Sequence, residues 1–112
     1  MTAVPTDFER VGAEDGLRAI IADFMRRVFS DVMIGFLFDG KPKARIVEME
    51  YQLAGEQLGG PMTYKGRSMT EAHRSSPIMG GHFNRRRKIL LDTLRSHRVS
   101  EDVIGRWLAH VD

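Results

Sequence analysis

The chain holds four histidines, His73, His82, His97 and His110, and no cysteine, so metal chemistry here must run through imidazole or carboxylate. No two of them stand at the i, i+4 spacing that places a zinc-ligand pair on one helix face. A zinc enzyme is disfavoured. The glycines of "LGGPMTYKG" follow no strand pattern and lack the Lys-Ser/Thr ending of a phosphate loop, so they read as a helix stop. There is also no serine elbow and no carboxylate dyad at helical spacing. His73 ends "MTEAH", with Met69 and Ala72 before it and Pro77 and Ile78 after it, an apolar setting in which a neutral imidazole can ligate a metal. A packed or solvated histidine is the alternative. His82, next to Phe83 at the start of a helical pattern, reads as a cap-region or exposed residue.

Two charges interrupt apolar faces. Glu50 lies four residues after Ile46 and three before Leu53, and Arg86 lies three after Phe83 and four before Leu90. An uncompensated buried charge is expensive, so each needs a partner, a path to solvent or a charged ligand. Reaching solvent along an apolar stem is easier for Arg86 than for Glu50.

The elements that must position these groups are helical. Leu17, Ile20, Ile21, Phe24, Met25 and Phe29 recur at steps of three and four, predicting an amphipathic helix from about Glu14 to Phe29. A short helical turn is expected between Asp31 and the "DGKP" break. Ile46, Val47, Met49, Glu50, Leu53, Ala54 and Gln57 predict a helix over Lys43 to Gln57, stopped by "LGGP". "MTEAH" has room for about one turn before Pro77 and the Gly80-Gly81 pair bend the chain. Two further helices are expected over His82 to Arg98 and Glu101 to His110, with Ser100 as cap. No alternating strand pattern emerges, so the class is all-α. The short helices and the long loop from Gly59 to Ser68 suit a plain four-helix bundle poorly, which leaves room for something other than helix contact at the centre.

The bulk figures set outer limits. A chain of 112 residues, 42% apolar and 29% charged, suits one small globular domain over residues 1–112. No run approaches the roughly 20 apolar residues of a membrane span. The opening "MTAVPTDFERVG" is acidic where a secretory signal is basic, and with no cysteine a cytoplasmic setting is expected. Net charge is +2 but divides unevenly, with −3 over residues 1–56 and +5 over residues 57–112. The run Arg85-Arg86-Arg87-Lys88 is either an anion-docking surface or a solvated helix face, and is weak ground for a nucleic-acid partner.

In order and spacing, Leu-Gly-Gly-Pro, Tyr64, Gly66, Met69, Ala72-His73, Ile78 and His82-Phe83 resemble a truncated haemoglobin, most like the group I branch. The resemblance covers about residues 7 to 111 and implies a two-over-two helical sandwich around a haem b, whose bulk would fill the centre. It also implies His73 as the proximal ligand of the iron and His82 away from it. Phe38 matches a phenylalanine packing on the haem face, Tyr64 and Met69 match residues at its edge and proximal side, and Ala72, Ile78 and Phe83 complete the lining. The implied ligand is a diatomic gas, oxygen, carbon monoxide or nitric oxide, with oxygen transport, nitric oxide dioxygenation or peroxidase turnover as family-level activities and a reductase as a possible partner.

The distal side departs from the family. Met25 replaces the usual tyrosine and Glu50 the usual glutamine, while Ile46 adds bulk without a hydrogen-bond donor. Glu50 could serve as a donor if its pKa were raised, or Arg86 could pair with it across the pocket. Met49 stands where a basic residue often reaches a haem propionate, a contact that Lys43 or Arg45 could take over. Met25 or Met49 could instead supply a thioether as sixth ligand. A haem-free binding or sensor module, its pocket filled by Glu50 and Arg86, is the rival expectation.

Overall fold

The computed structural model describes residues 4–65 and 80–112, and among them every regular element is helical. The first, α1 (Asp7–Arg10), is a single turn that periodicity could not reveal. A reciprocal cap makes it: Thr6 Oγ1 accepts from the Glu9 amide at 3.1 Å and the Glu9 carboxylate accepts from the Thr6 amide at 3.3 Å. Phe8 is buried beneath it, and its amide donates to the Leu58 carbonyl at 2.9 Å.

The central element is α2 (Ala13–Phe29), which begins one residue before the expected Glu14. Gly12, at φ +103°, makes the corner, and a Cβ on Gly16 would strike the Val11 carbonyl, so the α1–α2 joint closes on bare backbone. Its inward stripe is Leu17, Ile20, Ile21, Phe24, Met25 and Val28, while Phe29 is only half-buried. The expected turn is a 3₁₀ helix, Gly35–Phe38. Asp31 sets it up by accepting from the amides of Met33 and Ile34 at 3.0 and 3.2 Å.

The helix α3 (Lys43–Gln57) has the expected bounds, and Gly59, at φ +84°, ends it with the Gly60 amide donating to the Gly55 carbonyl at 2.8 Å. The helix α4 (Gly80–Ser96) starts two residues before the expected His82 and stops two before Arg98. Gly80 and Gly81, expected as a bend, are helical. The helix α5 (Glu101–Val111) follows Ser100, whose hydroxyl accepts from Arg10 at 3.1 Å and makes no bond to the α5 backbone. The turn expected at Met69 to His73 lies outside the described residues.

Against α2 pack α4, α3, α1 and the 3₁₀ helix. Leu17, Phe24, Leu90 and Leu94 join Ile104, Trp107 and Leu108 of α5 in one buried cluster. Each such side chain stabilises the fold by roughly 1.5–3 kcal/mol relative to exposure, and this burial dominates. The bidentate pair of Arg106 with Asp7 at 2.8 Å and the pair of Arg10 with Asp102 at 2.7 Å tie α5 to α1 at the surface. Such exposed pairs orient more than they stabilise. Among the described residues no helix is long and apolar enough to cross a membrane.

Candidate functional site

One face of α3 is sealed and the adjoining one is not. Tyr51, Ala54 and Gly55 are buried against the rest of the protein. Around the helix from them, Ile46, Met49, Glu50 and Leu53 are half-buried, as is Val47 one turn before Tyr51. Ile46 and Val47 pack on the rim of the core, as do Phe29, Leu37 and Phe38. Phe29 and Phe38 meet edge to face, with centroids 5.3 Å apart and planes at 71°. Lys43 Nζ stands 5.7 Å from the centre of the Phe29 ring, and Met25, one turn before Phe29, is buried in the core cluster. Met25, Phe38, Ile46 and Lys43, picked out along the sequence, thus belong to one apolar region where α2, the 3₁₀ helix and α3 converge.

Glu50 and Arg86 are brought together. An Arg86 terminal nitrogen donates to Glu50 Oε1 at 2.7 Å, with both side chains 23% exposed. The guanidinium carbon lies 5.0 Å from the centre of the Phe24 ring, so the cation rests on an aromatic face of α2 while it bridges α4 to α3. The pairing of Glu50 with Arg86 that the sequence left open is present in the structure. Phe24 escaped notice as a site residue because a ring on a core stripe looks the same whether it packs aliphatic groups or carries a cation. Phe29 escaped for a similar reason.

The lower part of α4 adds Phe83, half-buried and one turn before Arg86, and His82, whose ring meets Phe36 edge to face at 5.9 Å. His82 Nδ1 is buried and finds no hydrogen-bond partner among the described residues. Arg85 anchors the same stretch to the corner after α2 by donating to Asp31 at 2.6 and 2.9 Å. Those bonds, with the Met33 and Ile34 amides, hold the Asp31 carboxyl below its ordinary value against the opposing effect of burial. The run Arg85 to Lys88 is therefore largely committed, since Arg87 pairs with Asp112 at 2.8 Å and Lys88 with Asp92 at 2.9 Å. Tyr64 is half-buried and its amide donates to the Glu56 carboxylate at 2.6 Å. His73, Met69, Ala72 and Ile78 lie outside the described residues.

Whether a haem suits these residues is a question of donor chemistry and uncovered surface. No group of three or more His, Cys, Asp or Glu poised for a bare ion occurs among the described residues. A flat apolar macrocycle instead asks for half-covered apolar side chains from several elements, which Ile46, Met49, Leu53, Phe38 and Phe83 supply. The residues fit such a group.

The model of the bacterial-like globin family matches residues 6–112. The chain is 30% identical over 105 residues to the group 1 truncated haemoglobin of Tetrahymena thermophila, covering 94% of this chain and 87% of that protein. The chain belongs to the truncated haemoglobins. A group 1 truncated haemoglobin of a Synechocystis species is 29% identical over 108 residues, covering 93% of this globin and 87% of its relative. Among solved structures, the ferric truncated haemoglobin of Tetrahymena pyriformis superposes with a TM-score of 0.86 at 29% identity, covering 96% of this chain and 91% of that one. The cyanomet 2/2 haemoglobin of a Synechococcus species, with covalently attached haem, reaches 0.89 at 22% identity, covering 96% and 90%, and speaks for the fold alone. The expected all-α truncated-globin fold is thereby the fold of this globin.

Proposed function

We propose that this truncated haemoglobin holds a haem b in the apolar region between α2, α3 and α4, with His73 as the iron ligand and a diatomic gas as its exchangeable partner. The observation that carries the reading is the half-covered apolar row of α3, flanked by the Glu50–Arg86 bridge to α4 and the Lys43–Phe29 contact to α2, in a chain of globin descent. Met25, Phe38, Ile46 and Phe83 would line the group, with Tyr64, Met69, Ala72 and Ile78 completing the wall and Lys43 placed to neutralise a propionate. A haem so held would supply one exchangeable position for oxygen, carbon monoxide or nitric oxide.

This chain's own residues then determine what that position meets. Met25 and Ile46 exclude water and donate nothing, and the Glu50 carboxylate already accepts from Arg86. The family's tyrosine and glutamine donors are missing, so this side holds oxygen weakly. Nitric oxide dioxygenation or peroxidase turnover belongs to the same reading, with a reductase as the partner of a cytoplasmic, single-domain protein.

The second reading is a haem-free module, favoured by the ion pair that bridges α3 and α4 where an apolar pocket is usual. Haemin added to the purified protein separates them. A Soret band that is lost in His73→Ala supports haem binding, whereas no band in the wild type supports the haem-free module.

A further inference from the structure

We propose, resting on the haem-binding reading, that the Glu50–Arg86 pair makes the ligand pocket selective for small anions over neutral gases, with Arg86 as the anion-recognising group and Glu50 as its built-in competitor. Three features converge on this pair. First, Arg86 sits between two rows that line the region, following Phe83 by three residues on α4 and meeting Glu50, which follows Ile46 by four on α3. Second, its plane is supported by the Phe24 ring 5.0 Å away, which fixes the cation without consuming a hydrogen bond. Third, the contact with Glu50 is single: one terminal nitrogen of Arg86 meets one carboxylate oxygen at 2.7 Å. A guanidinium carries five N–H donors in a rigid fork, so Arg86 keeps donors for a second acceptor.

The neighbours make this cation matter more. Met25 and Ile46 bring no donor, and with both members of the pair only 23% exposed, solvent screening is weak. A neutral ligand gains little from such a cation, while an anion gains a charge-assisted hydrogen bond. Glu50 opposes that gain by holding the same guanidinium. An anion entering the pocket must therefore share Arg86 with the carboxylate or displace it.

The test uses the haemin-loaded protein, azide as the anionic probe of the ferric form and carbon monoxide as the neutral probe of the ferrous form. Affinities are read from absorbance titrations of the wild type, Arg86→Met, Glu50→Gln and the double variant. Azide affinity is expected to fall about tenfold or more in Arg86→Met and to rise by about tenfold in Glu50→Gln, with carbon monoxide moving less than about threefold in either. Azide unchanged in both variants, or azide and carbon monoxide shifting in parallel, would overturn the inference while leaving the haem reading intact. Absence of a Soret band in the wild type would sink the haem reading itself. A readout free of haem guards against simple misfolding: thermal melts of the four haem-free proteins should show coupling, the double variant losing less than the two single losses combined. Strict additivity would mean that the pair does not form, and would overturn the inference.

Discussion

The two sides of α2 obey different packing rules. Towards α5, Leu17, Leu90, Leu94, Ile104 and Trp107 form a sealed hydrocarbon interior. Towards the α3 row, Ile46, Met49 and Leu53 are half-covered, and an ion pair stands where more hydrocarbon would close the gap. The helical periodicity of the two sides is the same. What differs is the cover: the first stripe is closed by protein on every side, and the second is closed only in part.

Stability measurements sharpen this contrast most. In the haem-free protein Leu94→Ala should cost about 3–5 kcal/mol, because a fully buried leucine leaves a cavity. Leu53→Ala on the open row should cost less than about 1.5 kcal/mol, since Leu53 is only half-buried and stands apart from the core cluster. Equal losses in denaturant melts would erase the distinction. Haemin should then stabilise the wild type by about 2.7 kcal/mol when present at roughly a hundred times its dissociation constant. That gain should vanish in His73→Ala; a gain that persists would place the ligand elsewhere.

The ion pair gives a smaller effect. Removing one member strands a half-buried charge, so Arg86→Met and Glu50→Gln should each lose about 1–3 kcal/mol in the haem-free chain. The smallest effect belongs to the sealed side's periphery, where Asp23 accepts from Arg26 at 2.6 Å and from Arg27 at 3.1 Å and meets His97 at 2.9 Å. Burial pushes the Asp23 carboxyl up, but these partners together outweigh it and hold it well below its ordinary value of 3.8. A depressed carboxyl contributes stability that is full above the unfolded pKa and fades as pH falls through the folded one. Asp23→Asn should therefore lose about 1 kcal/mol at neutral pH and progressively less below about pH 4. A loss that stays constant down to pH 2 would contradict this assignment.

Much of this was legible because α2, α3 and α5 each bury a stripe, and a stripe is a local pattern. The single turn of α1 is too short for one, although Thr6 and Glu9 carried a capping signature that could have revealed it. A glycine pair signals a bend because glycine disfavours helix interiors, yet Gly80 and Gly81 are helical, and a Cβ at either position would meet nothing among the described residues. Ser100 has the right type for a cap, but its hydroxyl is drawn to Arg10, which lies 90 residues away and so leaves no local trace. At the site, Glu50 and Arg86 stood out as charges on inward faces. Their pairing depends on how α3 and α4 approach one another over Phe24, a relation that no single helix's periodicity encodes.

The sealed side also supplies a means of watching the open one. Trp107 is the chain's sole tryptophan, and at 2% exposure its indole emits from a dry, fixed environment. Haem absorbs where indole fluoresces, and in a molecule 49 × 28 × 23 Å in extent any bound haem is close enough to take up that energy. Trp107 is thus a built-in optical gauge. Dim emission reports an occupied pocket, bright blue emission a folded but empty one, and a red shift the opening of the hydrocarbon interior.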